Sequence, residues 1–169
     1  MILIVNTTTD LDITGKIRSE LDKKGTDFCI MEAGEKKIGH CIGCNYCWLK
    51  DPGVCTVKDD MEEILRKAVI SDQIWVITDS VLDFVSPKAK NVVDRLIPLA
   101  TMYLKFEGNQ MRHVLRYGKG LDFGVIVKDV VDMEYMGWWS ERVAVNFGGK
   151  SKGAFRTEET EEAVRCMCS

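Results

Sequence analysis

Three stretches of the chain, "MILIVN" from Met1, "QIWVIT" from Gln73 and "LDFGVIVKDV" from Leu121, are apolar almost without interruption and rich in β-branched side chains. A strand with one wet face alternates polar and apolar residues, whereas unbroken runs belong to strands buried on both faces. Such strands need helices above and below, which commits the chain to an α/β sandwich on a parallel sheet. "DFCIMEA" from Asp27 reads as a second strand and "KSKGAFR" from Lys150 as a short fifth.

Helical stripes fall between these runs. Thr14 is expected to cap a helix with Ile17 and Leu21 on its inner face, ended at Gly25. Asp59 and Glu62 form a capping-box pattern before the Met61, Ile64, Leu65, Ala68, Val69 stripe. Ser86-Pro87 opens a third helix, with Ala89, Val92, Val93, Leu96 and Ile97 facing inward, and Pro98 kinks or ends it. "MRHVLRYGKG" reads as a polar, basic connection. A helix is expected over Met133–Phe147, with Trp138 and Trp139 unable to share one face, and a last helix capped at Thr157.

Strands and helices alternating through 169 residues, 46% of them hydrophobic, give one domain over 1–169 with a cysteine-rich loop at 38–57. Right-handed crossovers then yield the flavodoxin-like three-layer sandwich, a five-stranded parallel sheet in the order 2-1-3-4-5. Ligands of such sheets lie beyond the carboxyl ends of the strands. The loops from Thr7 to Thr14 and from Asp79 to Val85 are the expected walls, with the cysteine loop on the same edge.

A net charge of −3 and the lack of basic runs argue against nucleic acid. No apolar run approaches the ~18 residues of a membrane span, and Met1 leads straight into a strand, so a cytoplasmic protein is expected. Thiols there stay reduced, which favours metal-binding or catalytic cysteines over disulfides.

Seven cysteines are present, four of them in "CIGCNYCWLKDPGVC". Three thiols at two-residue intervals and a fourth slightly later suit a compact loop around an iron-sulfur cluster better than two zinc knuckles. Zinc, thiol redox chemistry and inert loop thiols are the alternatives. Cys29 reads as a small core residue, and Cys166 and Cys168 face different ways in the last helix.

"CIGCNYCWLKDPGVC", "DDMEEILRKAVISDQIWVIT" and "KNVVDR" together resemble the iron-sulfur flavoproteins and the neighbouring NADPH-dependent FMN reductases, over about the first hundred residues. The resemblance implies that Cys41, Cys44, Cys47 and Cys55 hold a [4Fe-4S] cluster exchanging electrons with FMN, in a homodimer or tetramer. NAD(P)H or a small redox protein would be the donor or acceptor.

It also places Thr8, Thr9 and Thr14 at the FMN phosphate and Asp79, Ser80, Val81, Leu82 and Asp83 beside the flavin ring. Two departures stand out: Asp10 occupies the family's usual arginine position, with Asp12 adding a second negative charge, and "TDSVLDFVS" lacks the family's proline and tyrosine. A carboxylate near a phosphate would weaken binding about fiftyfold unless it turns to solvent. An FMN-only NAD(P)H-dependent reductase of flavin or quinone, and a binding module that has lost FMN, are therefore the rival readings. His113 with Arg112 and Arg116 reads as a solvated basic loop, His40 as exposed, and Phe84 as packing.

Overall fold

The computed structural model describes residues 1–129 and 132–169. In chain order its first half comprises β1 (Ile2–Asn6), α1 (Leu11–Lys23), β2 (Phe28–Glu32), the short α2 (Tyr46–Leu49), α3 (Met61–Ile70), β3 (Gln73–Val81), β4 (Phe84–Val85) and α4 (Pro87–Asp94). Then follow β5 (Ala100–Glu107), β6 (Gln110–Leu115), β7 (Leu121–Lys128), α5 (Met133–Asn146), β8 (Gly148–Arg156) and α6 (Thr160–Met167).

The parallel strands run in the order β2-β1-β3-β7-β8, the expected 2-1-3-4-5 once the antiparallel strands are set aside. Side chains alternate across the sheet with the pleat. Leu3, Val5, Val76, Phe123 and Val125 pack against α3, α4 and α5, while Ile2, Ile4, Trp75, Ile77 and Ile126 pack against α1 and α6. Trp75 is fully buried and fills the room left by Gly124 on the neighbouring strand, where a Cβ would lie 2.5 Å from its ring.

Several expectations are corrected. Asp10, not Thr14, caps α1, its carboxylate accepting from the Asp12 amide, and Thr14 sits inside the first turn. The helix closes as expected at Gly25 (φ 63°), where the Thr26 amide bonds Leu21 O and the Gly25 amide bonds Asp22 O. The Asp59–Glu62 capping box does not form: Glu62 pairs with Arg66, and the Asp59 carboxylate turns toward the cysteine loop.

Ser86 and Pro87 open α4 as read, and Pro98 lies in the 3-10 turn beyond it. The "polar connection" is instead half of a hairpin, β5–β6, turned at Gly108 and separate from the main sheet. Tyr103, Phe106 and Met111 lie exposed on it, so it lacks the one-sided apolar pattern that marks a covered strand. The fourth parallel strand ends at Lys128, and the Val130 included in its expected span lies outside the described residues. The fifth starts two residues early, and a 3-10 turn at Thr157–Glu159 precedes α6. Trp139 packs edge-on against Phe84 and Phe123, whereas Trp138 is exposed. Cys29 packs against the core, and Cys166 and Cys168 differ in exposure, both as read.

Candidate functional site: a carboxyl rim and a cysteine cavity

At the carboxyl rim, the fully buried Asn6 organises the first loop. Its amide oxygen accepts from Thr8 N (3.0 Å) and Thr8 Oγ1 (2.8 Å), and its Nδ2 donates to Asp10 O and Glu32 Oε2. Thr8 Oγ1 also accepts from Asp10 N (3.1 Å), so its hydroxyl is consumed within the loop. Thr14 is buried and donates to Leu11 O (3.0 Å). Both hydroxyl protons are thus engaged within the protein. Thr9 is exposed.

The amino end of α1 already carries an anion, the Asp10 carboxylate, 2.9 Å from Lys128 Nζ. The Lys128 bond, then the Asp12 amide, hold Asp10 below the usual carboxylate range, and Asp10 in turn raises Lys128. Nothing in the sequence flags Lys128; only the β3–β7 register brings Lys128 beside Asp79 at the rim. Its ammonium is suited to an anion.

The expected loop 79–85 is a tight hairpin. β3 continues to Val81 and returns through Leu82 (φ 53°) and Asp83 (φ 59°) to Phe84, the double left-handed turn whose twist matches the strands. Leu82 is 97% exposed in a conformation that leucine rarely adopts. Asp83 accepts from the Asp132 amide (3.0 Å), and Asp79 O accepts from Ser86 N.

The cysteine segment does not stay on this rim. Lys88 Nζ bonds Gly34 O, Asn91 Nδ2 bonds Ile38 O (3.1 Å), and Arg95 Nη1 bonds Gly39 O (3.3 Å). The segment thus descends α4 rung by rung, about 12 Å for its eight residues. Cys41, Cys44, Cys47 and Cys55 then line one cavity with Arg95, Ile97 and Pro98, beyond the far end of α4. The expectation that the cysteine loop shares the carboxyl edge is overturned, because two side chains of α4 and that of its C-cap, Arg95, fix its path.

Under that cavity lies an unforeseen centre. Arg95 and Asp59 form an ion pair at 2.5 Å with their side chains 1% and 3% exposed. Arg95 also donates to Val57 O (3.0 Å) and lies 3.5 Å from Cys55 Sγ, while its buried Nε finds no partner among the described residues. Burial alone would raise the Asp59 carboxyl, but Arg95 and the amides of Gly39 and Met61 hold it below its ordinary value. Arg116, read as part of a solvated group, donates to Cys47 O, Pro98 O and Ala100 O. His113 lies tilted against Trp48 and bonds Thr101 O, so neither residue is solvated as expected. His40 is exposed, as read.

Burial, then the neighbouring Cys55, Cys41 and Cys44, push the Cys47 thiol up. Thiols that repel one another as thiolates form a donor set that a metal cation would relieve, and the orphaned Nε of Arg95 is a spare donor in the same wall. The donor set fits an iron-sulfur group in kind. Among the described residues, though, no three ligand-type side chains are drawn together as a bound metal would draw them.

No protein-family model matches the chain. It is 24% identical over 157 residues to an iron-sulfur flavoprotein of Methanocaldococcus jannaschii, covering 87% of this chain and 79% of that one. It is 32% identical over 79 residues to an iron-sulfur flavoprotein of Archaeoglobus fulgidus, covering 47% of this chain and only 35% of that protein. Among solved structures it is similar to RosB with a bound flavin-phosphate intermediate, with a TM-score of 0.63 at 14% identity over 92% of this chain and 63% of that one. It is similar also to an FMN-dependent NADH-azoreductase of Bacillus anthracis, with a TM-score of 0.58 at 10% identity over 99% of both chains. The resemblance to iron-sulfur flavoproteins and the flavodoxin-like fold are thus borne out. No helix among the described residues is long and apolar enough to cross a membrane.

Proposed function

We propose that this chain is an FMN flavoprotein of the oxidoreductase class in which Cys41, Cys44, Cys47 and Cys55 hold a [4Fe-4S] cluster. The observation that carries it is that these four residues line one cavity backed by the buried Arg95. The cluster would supply one-electron chemistry and the flavin one- or two-electron chemistry. The protein supplies placement. Arg95 brings a positive charge to the Cys55 side of the cavity, and Arg116 fixes the backbone at Cys47.

FMN is supported by the flavin ligands named for the structural neighbours and by the rim itself, where Lys128 offers an anion a partner. A phosphate there contends with Asp10 for Lys128 and for the α1 amides. NAD(P)H or a small redox protein would exchange electrons with the cofactors, in a homodimer or tetramer.

Anaerobic purification with iron, sulfide and flavin assays tests the reading. About four irons and one FMN per chain are expected, with visible absorption that bleaches on reduction and iron lost in Cys55→Ala. Iron-free protein from a cluster-competent host would refute the cluster.

A second reading, an FMN-only NAD(P)H-dependent reductase, is favoured by the ungathered sulfurs and the azoreductase likeness. Flavin without iron, and NADPH oxidation surviving Cys44→Ala, would select it.

A further inference from the structure

A roomy cavity lies neither at the rim nor among the cysteines. It has a volume of about 510 Å³, within the range of small-molecule sites, and opens between α4, α5 and the β5–β6 hairpin. One wall is the Trp48–His113 ring pair, centroids 4.8 Å apart and inclined at 42°. Both rings are pinned by backbone: Trp48 Nε1 donates to Ile97 O (3.1 Å) and His113 Nδ1 to Thr101 O (2.8 Å). The carbonyl can only accept, so Nδ1 carries a proton. Val93, Ile97 and Trp139 supply apolar lining.

The charged lining is one-sided. Lys90 is matched by Asp94 at 2.5 Å, but among the described residues Arg112 meets the neutral Gln110 and Asn146, and Arg142 stands exposed on α5. Two guanidinium groups in excess beside a fixed aromatic wall are the complement of a flat ring that carries a negative charge.

We propose that this cavity binds a planar aromatic anion, a fused or substituted ring bearing a carboxylate, sulfonate or phosphate, stacked on Trp48 and paired to Arg112 and Arg142. Ile97 also lines the cysteine cavity, so such a ligand would sit one side chain away from the thiols. The site is built without the cysteines, and binding does not depend on whether they hold iron.

Calorimetric titration of the full chain with 2-naphthalenesulfonate tests this. One site per chain is expected, on the order of tenfold tighter than for 2-naphthol, which lacks the charge, or cyclohexanesulfonate, which lacks the plane. Added salt weakens it. Arg142→Glu, on an exposed helical surface, weakens binding on the order of tenfold with the melting temperature unchanged. Trp48→Ala weakens it similarly and Trp48→Phe restores most of it. Iron-free protein binds equally well, which separates this site from the cluster reading. Equal affinity for the three probes, no binding at all, or affinity untouched by Arg142→Glu would overturn the proposal.

Discussion

The molecule holds two acid–base pairs of the same chemistry in opposite surroundings. Asp10 and Lys128 meet at the rim with side chains 29% and 40% exposed, whereas Asp59 and Arg95 meet beneath the cysteine cavity at 3% and 1%. Water can replace either partner of the first pair, so that pair chiefly sets the charge an arriving anion meets. The second pair is almost wholly buried, so each partner needs the other. Position in the fold, rather than residue type, decides which pair is adjustable and which is structural.

Arg95→Met gives the largest contrast. It leaves Asp59 buried and unpaired, and urea denaturation should show a loss of about 3 to 5 kcal/mol. Arg95→Met with Asp59→Leu should recover most of this, because two matched apolar groups leave no orphaned charge. Lys128→Met, by contrast, should leave the urea midpoint almost unmoved.

The ligand response sharpens the difference from the other side. Asp10→Asn keeps a competent helix cap but removes the competing charge, and should tighten FMN on the order of tenfold by calorimetry, with Lys128→Met weakening it by a similar factor. Neither change should alter iron content.

Acid provides a smaller, graded test. Asp10 and Asp59 both have carboxyls lowered by folding, so each contributes stability that is complete above the ordinary carboxylate range near 4 and lost as pH falls through the depressed value. The protection of the Gly39 and Met61 amides, both bonded to Asp59, relative to their intrinsic exchange rates should be retained at pH 5 and fall as pH drops below the ordinary carboxylate range. Smallest of all is Arg66→Ala, which removes an exposed helical pair with Glu62 and should not shift the melting temperature measurably.

The parallel sheet was legible because its strands announce burial on both faces through unbroken apolar runs, and β1 and β3 lie where those runs are. The hairpin was not, since Tyr103, Phe106 and Met111 spread apolar residues over exposed surface and leave no periodic stripe. The four clustered cysteines were visible as a donor set, but their place in the fold was not. It depends on Lys88 and Asn91 of α4 and on its C-cap Arg95, which look like ordinary polar positions. Asp59 misled for a related reason: its spacing to Glu62 fits a cap, and only the approach of Arg95 from 36 residues away diverts it. Lys128 likewise acquires meaning only across a sequence separation of 118.

Trp75 and Gly124 face each other on adjacent strands and share a single allotment of space. Gly124→Ala alone drives a methyl into the indole, and Trp75→Leu alone opens a void, yet the two together exchange volume across the ladder. Their effects must therefore be strongly non-additive, and any lineage that alters one of these positions will be pressed to alter the other.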